Sequence, residues 1–154
     1  MSLMFKISYG LYILSATDGD KDNACVINTL SQQTAAPERL SVTVNKANLT
    51  HDYIAKSGKC AVGVLATDAT FDTIKNFGMQ SGKTVNKFAN IDTVRAENGV
   101  LVPVKGVLGY FELKVENSID FGTHTMFVCS IAGLTDLRQA EPLTYSYYQS
   151  NIKP

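Results

Sequence analysis

The stretch ACVINTLSQQTAAPERLSVTVNKAN, residues 24–48, contains two β-prone runs that are joined by one turn at Ala36-Pro37. The first run is apolar and ends in a cluster of small amide and hydroxyl side chains, whereas the second ends in Asn45-Lys46. Apolar and polar residues alternate strictly over 39–45, which predicts a half-buried strand. The stretch therefore places a flat, partly apolar backbone edge beside neutral hydrogen-bond donors, with a cation one strand away.

The rest of the chain also favours strands. Runs rich in β-branched and aromatic residues predict two strands, over 5–16 and 23–29, which the turn DGDKDN would join as a hairpin. Similar runs predict four more strands, over 59–67, 99–104, 106–115 and 123–134. Pro103 and Gly106 predict a bend between two of them.

Two short helices are predicted between the strands. Thr50 is interpreted as the N-cap of the first helix and Gly58 as its end, while apolar residues at helical spacing predict the second over 68–77, with Gly78 as its C-terminal stop. The helices do not alternate one for one with the strands, which argues against a doubly wound parallel sheet. We therefore expect a mainly β fold, a closed or split antiparallel barrel with short inserted helices.

Length and charge narrow the classes of protein. A chain of 154 residues suits one folding unit over 1–154, and 14 basic against 14 acidic residues give no electrostatic footprint for nucleic acid or an anionic membrane. There is no basic and apolar leader pattern and no run of about 18 apolar residues, so a cytoplasmic protein is expected. Met1-Ser2-Leu3, ahead of Met4, is interpreted as a remnant of cloning and left out of the fold prediction.

The usual catalytic and metal-binding motifs are missing from the sequence. The three cysteines do not form a CxxC pair, and Cys60 and Cys129, in apolar runs, are interpreted as small buried hydrophobic residues. His51 and His124 are the only histidines, and the sequence has no Walker, GxGxxG or HExxH motif. Hydrolase, kinase and metalloprotease functions therefore lose their main support.

The quoted stretch has the groups that a flavin mononucleotide (FMN) would need. Backbone amides along Cys25, Val26, Ile27, Asn28 and Thr29 could donate to the isoalloxazine ring, and the side chains of Gln32 and Thr34 could add neutral hydrogen bonds. A phosphate could lie among Asn45, Lys46, Thr50 and His51, beside a helix N-terminus. The alternative is that these polar residues only end strands and that Lys46 is a solvated surface residue.

Two further features have both a functional and a structural interpretation. The loop FGMQSGK, residues 77–83, could bring backbone amides close to a ligand, or its glycines could serve only as a helix cap and a turn. His124, at the start of a strand, could point toward a nicotinamide or could be structural.

Five segments together resemble the motifs of the flavin reductase-like, FMN-binding split-barrel family, of the flavoredoxin and rubredoxin-fused type. They are CVINTLSQQT, VTVNKANLTHDYI, FGMQSGKTVNKF, GTHTMFV and PLTYSYY, in the expected order. The resemblance implies a six-stranded Greek-key split barrel, a homodimer, and one FMN per subunit near the dimer interface. It also implies hydride uptake from NADH or NADPH, or electron exchange with a protein carrier.

The resemblance also implies roles for individual residues. It matches 25–29, Gln32 and Thr34 to the isoalloxazine and ribityl segment, and His124 to a histidine on the nicotinamide side. The residues matched to the phosphate segment are Asn45, Lys46, Asn48 and Thr50, and those matched to a subgroup motif are Ser81, Gly82, Lys83 and Lys87. Ala36-Pro37-Glu38 stands where the family commonly has a paired proline, and Cys129 replaces a frequent glycine.

Three functions follow from these observations. The first is an FMN-dependent NAD(P)H oxidoreductase that passes electrons to rubredoxin or another iron protein, free flavin or a diiron partner. The second is an FMN-binding electron carrier that does not react with NAD(P)H, and the third is a barrel without a ligand. The tyrosine-rich tail over 143–154 is expected to pack on a neighbouring surface, such as a second subunit.

Overall fold

The computed structural model describes residues 2–154 and contains nine strands and two regular α-helices within that range. The strands are β1 (Tyr12–Thr17), β2 (Asp22–Ile27), β3 (Leu30–Ala35), β4 (Glu38–Asn45), β5 (Lys59–Leu65), β6 (Thr93–Arg95), β7 (Leu101–Pro103), β8 (Val107–Asp120) and β9 (His124–Asp136). The helices are α1 (Leu49–Ser57) and α2 (Phe71–Gly78). A 3-10 turn (Leu3–Lys6) precedes them, and a short helical tail (Tyr145–Tyr147, then Tyr148–Ile152) follows.

Seven strands form one antiparallel sheet in the order β2-β1-β5-β8-β9-β4-β3. The two edge strands, β2 and β3, are consecutive in the chain and are joined by only Asn28 and Thr29. Because two residues span less than about 10 Å, the sheet must curl until its edges meet at this corner. Thr29 fixes the corner, since its hydroxyl donates to the Thr43 carbonyl at 2.7 Å and its carbonyl accepts from the Thr43 amide at 3.2 Å.

The inside of the curled sheet is the main core. Side chains that alternate along β1, β2, β4, β5 and β9 fill it, and α1 closes one side. All three cysteines, Cys25, Cys60 and Cys129, are buried there as free thiols, which confirms the interpretation of Cys60 and Cys129 as buried residues. A second apolar cluster, on the outer face of β1 and β2, lies beneath α2 and the tail.

Both predicted helices exist, but the start of each helix and the end of α2 differ from the prediction. The N-cap of α1 is Asn48, whose side chain accepts from the Thr50 amide at 3.0 Å, so Thr50 is inside the helix. Gly58 ends α1 in the left-handed conformation at φ 73°, as predicted. Helix α2 begins after its N-cap Thr70 and includes Gly78, which is therefore its last residue and not a stop beyond it.

The strand predictions were wrong at several boundaries. The first strand begins at Tyr12, not at residue 5, and β8 and β9 each continue past their predicted ends as one long hairpin. Strands β3 and β6 were not predicted, because β3 is mostly exposed and polar and β6 has only three residues. The main sheet therefore has seven strands where the resemblance implied six.

The tail packs on its own chain. The Leu143 amide donates to the Leu65 carbonyl and the Tyr145 amide to the Tyr9 carbonyl, both at 2.8 Å, and the side chains of Leu143 and Tyr148 are buried. The same subunit thus supplies the surface beneath Tyr148, whereas Tyr147 stays exposed. Across residues 2–154, the helices are all too short or too polar to cross a lipid bilayer.

Candidate functional site

A cleft of about 310 Å³ lies at the end of the barrel where β2, β4 and β9 meet. It is lined by Leu11, Val26, Ile27, Asn28, Thr29, Thr43, Val44, Asn45, Asn48, His124 and Tyr145. Seven of these were predicted site residues, and they come from three segments far apart in sequence. The fold brings them together because the short β2–β3 connection and the β4–β9 pair end at the same corner.

The edge strand β2 presents alternate backbone groups to the outside. The carbonyl of Leu11 accepts from the Leu65 amide of β5 at 3.3 Å. Because successive residues of a strand direct their backbone groups to opposite sides, the backbone groups of the next residue, Tyr12, point toward β2. Tyr12 is opposite Ile27, and Val26, one residue earlier, therefore directs its amide and carbonyl away from β1. The amides of Cys25 and Ile27 face β1 and are used within the sheet. Of the predicted segment 25–29, therefore, only alternate residues have backbone amides that are available to a ligand.

The start of α1 uses most of its own donors. The side chain of Asn45 accepts from the Ala47 amide at 2.8 Å, and the backbone carbonyl of Asn45 accepts from the Asn48 amide at 3.0 Å. The Thr50 and His51 amides donate to Asn48. Side chains, more than this helix N-terminus, must therefore supply contacts to an anion here.

Lys46 supplies a cation at this end of the cleft. Its ammonium lies 2.7 Å from Oδ1 of Asp120, the last residue of β8, and its backbone amide donates to the Thr123 carbonyl at 2.9 Å. Lys46, followed by the Gly122 amide, holds the pKa of Asp120 below its usual range. Both charged side chains are partly exposed, so water still reaches this ion pair.

His51 connects α1 to β9. Its Nε2 is 2.8 Å from the hydroxyl of Thr125, its Nδ1 is 3.1 Å from Asp52, and its ring packs against Phe127 at 5.5 Å between centroids. His51 is therefore held between the helix and the strand that carries His124. His124 precedes Thr125 in β9, and its Nδ1 lies 2.8 Å from the hydroxyl of Thr123.

Ten predicted residues do not line the cleft. They are Lys46 and His51, the four residues Ser81, Gly82, Lys83 and Lys87 of the 81–87 segment, and Cys25, Gln32, Thr34 and Thr50. Cys25 points into the barrel core, and the hydroxyl of Thr50 is buried where it accepts from the Asn23 amide group at 2.9 Å. Gln32 and Thr34 are near the turn of the β3–β4 hairpin, where Gln32 donates to the Thr34 carbonyl and Thr34 to the Pro37 carbonyl. Their side chains are used locally within that hairpin.

The 81–87 segment forms a different feature. Gly82 and Lys83 line a separate cleft of about 510 Å³ at the opposite end of β2, together with Asp20, Lys21 and Tyr53. Ser81 accepts from the Lys83 amide at 3.1 Å, an interaction within the loop. These residues do not share a cavity with His124 or Asn45.

Lys87 is buried, with only 2% of its surface exposed. Its ammonium donates to the Ala24 carbonyl at 2.8 Å and to the Phe77 carbonyl at 2.9 Å, and burial lowers its pKa. Lys87 thus ties the last turn of α2 to the outer edge of β2. It holds the edge strand in place rather than lining the cleft.

The sequence did not indicate every lining residue. Leu11, Thr43 and Val44 line the cleft as ordinary strand residues, with no local signal to distinguish them. Tyr145 could have been suspected, because the tyrosine-rich tail was expected to pack on a surface, but its place beside His124 depends on the fold of the tail.

The sequence pattern of the flavin reductase like domain matches residues 4–153, nearly the whole chain. This protein belongs to the flavin reductase-like family. Its membership confirms the resemblance that the five motifs indicated.

Two curated relatives are more than 30% identical to this flavin reductase-like protein over the aligned residues. High molecular weight rubredoxin of Moorella thermoacetica is 37% identical over 142 residues, and the match covers 92% of this chain but 62% of the relative. Ferric-chelate reductase (NAD(P)H) of Archaeoglobus fulgidus is 33% identical over 144 residues, covering 94% of this chain and 85% of the relative. The chain thus spans less than two thirds of the first relative and most of the second.

Solved structures of low sequence identity share the fold. BorF, the flavin reductase component of a bacterial two-component tryptophan halogenase, superposes with a TM-score of 0.81 at 20% identity, covering 93% of this chain and 89% of that one. The NADH:FAD oxidoreductase SgcE6 of Streptomyces globisporus C-1027 gives 0.80 at 19% identity, covering 92% and 83%. The predicted mainly β split-barrel class is therefore confirmed.

Proposed function

We propose that this flavin reductase-like protein binds FMN in the cleft at the end of β2 and oxidises NADH or NADPH. The observation that carries the proposal is the convergence of an outward-facing backbone edge at Val26, neutral side chains at Asn28 and Asn45, and the adjacent Lys46. The relative named ferric-chelate reductase (NAD(P)H) supports a nicotinamide substrate.

The donor set suits FMN. Peptide groups along a sheet edge and amide side chains match a neutral, planar ring with several hydrogen-bonding atoms, whereas one accessible ammonium matches one terminal phosphate. The apolar side chains of Leu11 and Val44 form part of the same cleft and would exclude water from one part of a ring. A bound flavin would supply the hydride-accepting chemistry.

The protein's own residues would act by positioning. Val26 and Asn28 would orient the ring, Lys46 would hold the phosphate, and His124 would lie on the nicotinamide side. Lys87 would act indirectly, by fixing the β2 edge to α2. No residue is assigned as a general base, because hydride transfer between stacked rings needs no proton acceptor.

We propose further that the protein works as a homodimer and passes electrons to an iron protein, free flavin or a diiron partner. The similarity to a rubredoxin-named relative, of which this chain spans 62%, supports a separate rubredoxin as the acceptor. The same similarity supports a second candidate function, an FMN-binding electron carrier that does not react with nicotinamide nucleotides.

An absorption spectrum of the purified protein, followed by anaerobic titration with NADH and with NADPH, tests the proposal. Yellow protein that bleaches with either nucleotide is the expected result. Yellow protein that bleaches only with a reduced iron protein would favour the electron carrier. Colourless protein that cannot be reconstituted with FMN would contradict both functions and leave a barrel without a ligand. Light scattering of the reconstituted protein tests the dimer.

A further inference from the structure

Lys46, the cation assigned to the phosphate, already has an anionic partner. Lys46 Nζ and Asp120 Oδ1 are 2.7 Å apart, and the same carboxylate oxygen accepts from the Gly122 amide at 2.7 Å. Asp120 is therefore held at the end of β8, beside the lysine. A phosphate that approached Lys46 would meet a carboxylate at that lysine.

The charges around this end of the cleft offset one another. Lys46 is balanced by Asp120, and Asp52 adds a second carboxylate next to His51. A phosphate that carries nearly two negative charges would gain from Lys46 but would be repelled by Asp120 at similar range. The net attraction depends on whether Asp120 keeps its contact with Lys46.

We propose that Asp120 competes with the flavin phosphate for Lys46 and so sets how tightly the protein retains phosphate-bearing flavins. This inference rests on the proposed function, because it assumes that Lys46 contacts the phosphate. It makes Asp120 a residue that governs affinity and selectivity, FMN against riboflavin, without contacting the flavin ring.

The alternative role, in which Asp120 orients Lys46 for the phosphate, has less support. The carboxylate side chain is 66% exposed and that of the lysine 38%, and ion pairs so open to water restrict side chains weakly. Water screens both the restraint and the repulsion, but a phosphate at Lys46 would approach the same carboxylate with nearly two negative charges, so the repulsion would be the larger of the two. Removal of the carboxylate should therefore strengthen binding.

Asp120→Asn is the test, because an amide oxygen can still accept from the Gly122 amide while the negative charge is lost. We expect FMN to bind about fivefold tighter, with riboflavin affinity unchanged, as measured by quenching of flavin fluorescence at low salt. The gain should shrink as salt is raised, since salt screens exposed charges. Asp120→Ser removes the same charge and should give the same direction.

The matched control is Asp68→Asn. Asp68 forms an exposed ion pair with Arg138, also at 2.7 Å, and neither residue lines the cleft. This variant changes the net charge by the same amount, and its FMN affinity should equal that of the wild type. An equal gain in both variants would mean that only net charge matters and would overturn the proposal.

The remaining outcomes are also decisive. Unchanged or weaker FMN binding in both Asp120 variants, while the wild type binds FMN, would overturn the competition and leave the proposed function standing. Equal tightening of FMN and riboflavin would show that the phosphate is not involved and would also overturn it. Failure of the wild-type protein to bind FMN would overturn the proposed function and this inference together.

Discussion

Asn45 of β4 and His124 of β9 are direct partners in the antiparallel register of these strands, and both line the cleft. The pairing joins the segment assigned to the phosphate with the residue assigned to the nicotinamide side. Because backbone hydrogen bonds fix this register, a change of either side chain should leave the other in place. Phosphate binding and nicotinamide positioning can therefore be tested separately.

Replacement of His124 should affect turnover more than flavin binding. We expect His124→Asn to lower kcat with NADH about tenfold, a loss of ~1.4 kcal/mol in transition-state stabilisation, because the imidazole would no longer help to place the nicotinamide. Steady-state kinetics and FMN titration of the same preparation measure the two effects. Full activity in this variant would rule out a catalytic role for His124.

Replacement of Lys46 should weaken binding of the flavin phosphate and leave binding of the flavin ring unchanged. Lys46→Ala should weaken FMN binding by about ten- to a hundredfold, the usual worth of a hydrogen bond to a charged group, and should not change riboflavin binding. Lys46→Arg retains the charge and should retain most of the FMN affinity. Unchanged FMN affinity in the alanine variant would refute the assigned contact.

The hydrogen bond between His51 and Thr125 should make a measurable contribution to the free energy of unfolding. His51→Phe keeps a ring beside Phe127 but also loses the 3.1 Å contact with Asp52, whereas Thr125→Val keeps the volume and loses only the hydroxyl. Only the coupling between the two substitutions reports the 2.8 Å contact. A double-mutant cycle by urea unfolding should give a coupling energy of about 1 kcal/mol. Additive effects of the two substitutions would show that the contact contributes nothing.

Cys25 should make stability depend on alkaline pH. Burial raises the pKa of its thiol from 9.0 to about 11, so above pH 9 the unfolded chain loses a proton that the folded chain keeps. This contribution is complete below pH 9 and is lost as the pH rises toward 11, at a cost of about 2 to 3 kcal/mol. Urea unfolding under reducing conditions should show that Cys25→Ala is less stable than wild type at pH 8 and that the gap narrows by pH 10. A constant gap would contradict the prediction.

Ser15 should be replaceable with a gain in stability. Its hydroxyl is buried and has no hydrogen-bond partner among residues 2–154, so Ser15→Ala should stabilise the fold by about 1 kcal/mol. Ser41 is an equally buried control, because its hydroxyl accepts from Gln33 at 2.9 Å. Ser41→Ala should instead destabilise by about 1 kcal/mol, and thermal melts that gave both variants the same sign would contradict this reasoning.

The sequence predicted those features that depend on nearby residues. Strict alternation indicated the strand over 39–45, which the structure extends to Glu38–Asn45, and Gly58 indicated the end of α1 because a left-handed residue there favours glycine. The five ordered motifs indicated the family, since they match a pattern that spans almost the entire chain. Strand β3 was missed because its exposed polar residues carry no alternation.

Tertiary structure decided which of the candidate residues share a cavity. Asn45 and His124 converge because the β4–β9 register makes them partners. Lys87 and Lys46 are both lysines in polar motifs, but their environments differ. Lys87 is buried against two carbonyls and Lys46 is partly exposed beside Asp120, and nothing in either local sequence distinguishes them. Local sequence fixes backbone preference and periodicity, but the burial and partners of a charge depend on segments tens of residues away, which only the folded sheet brings into contact.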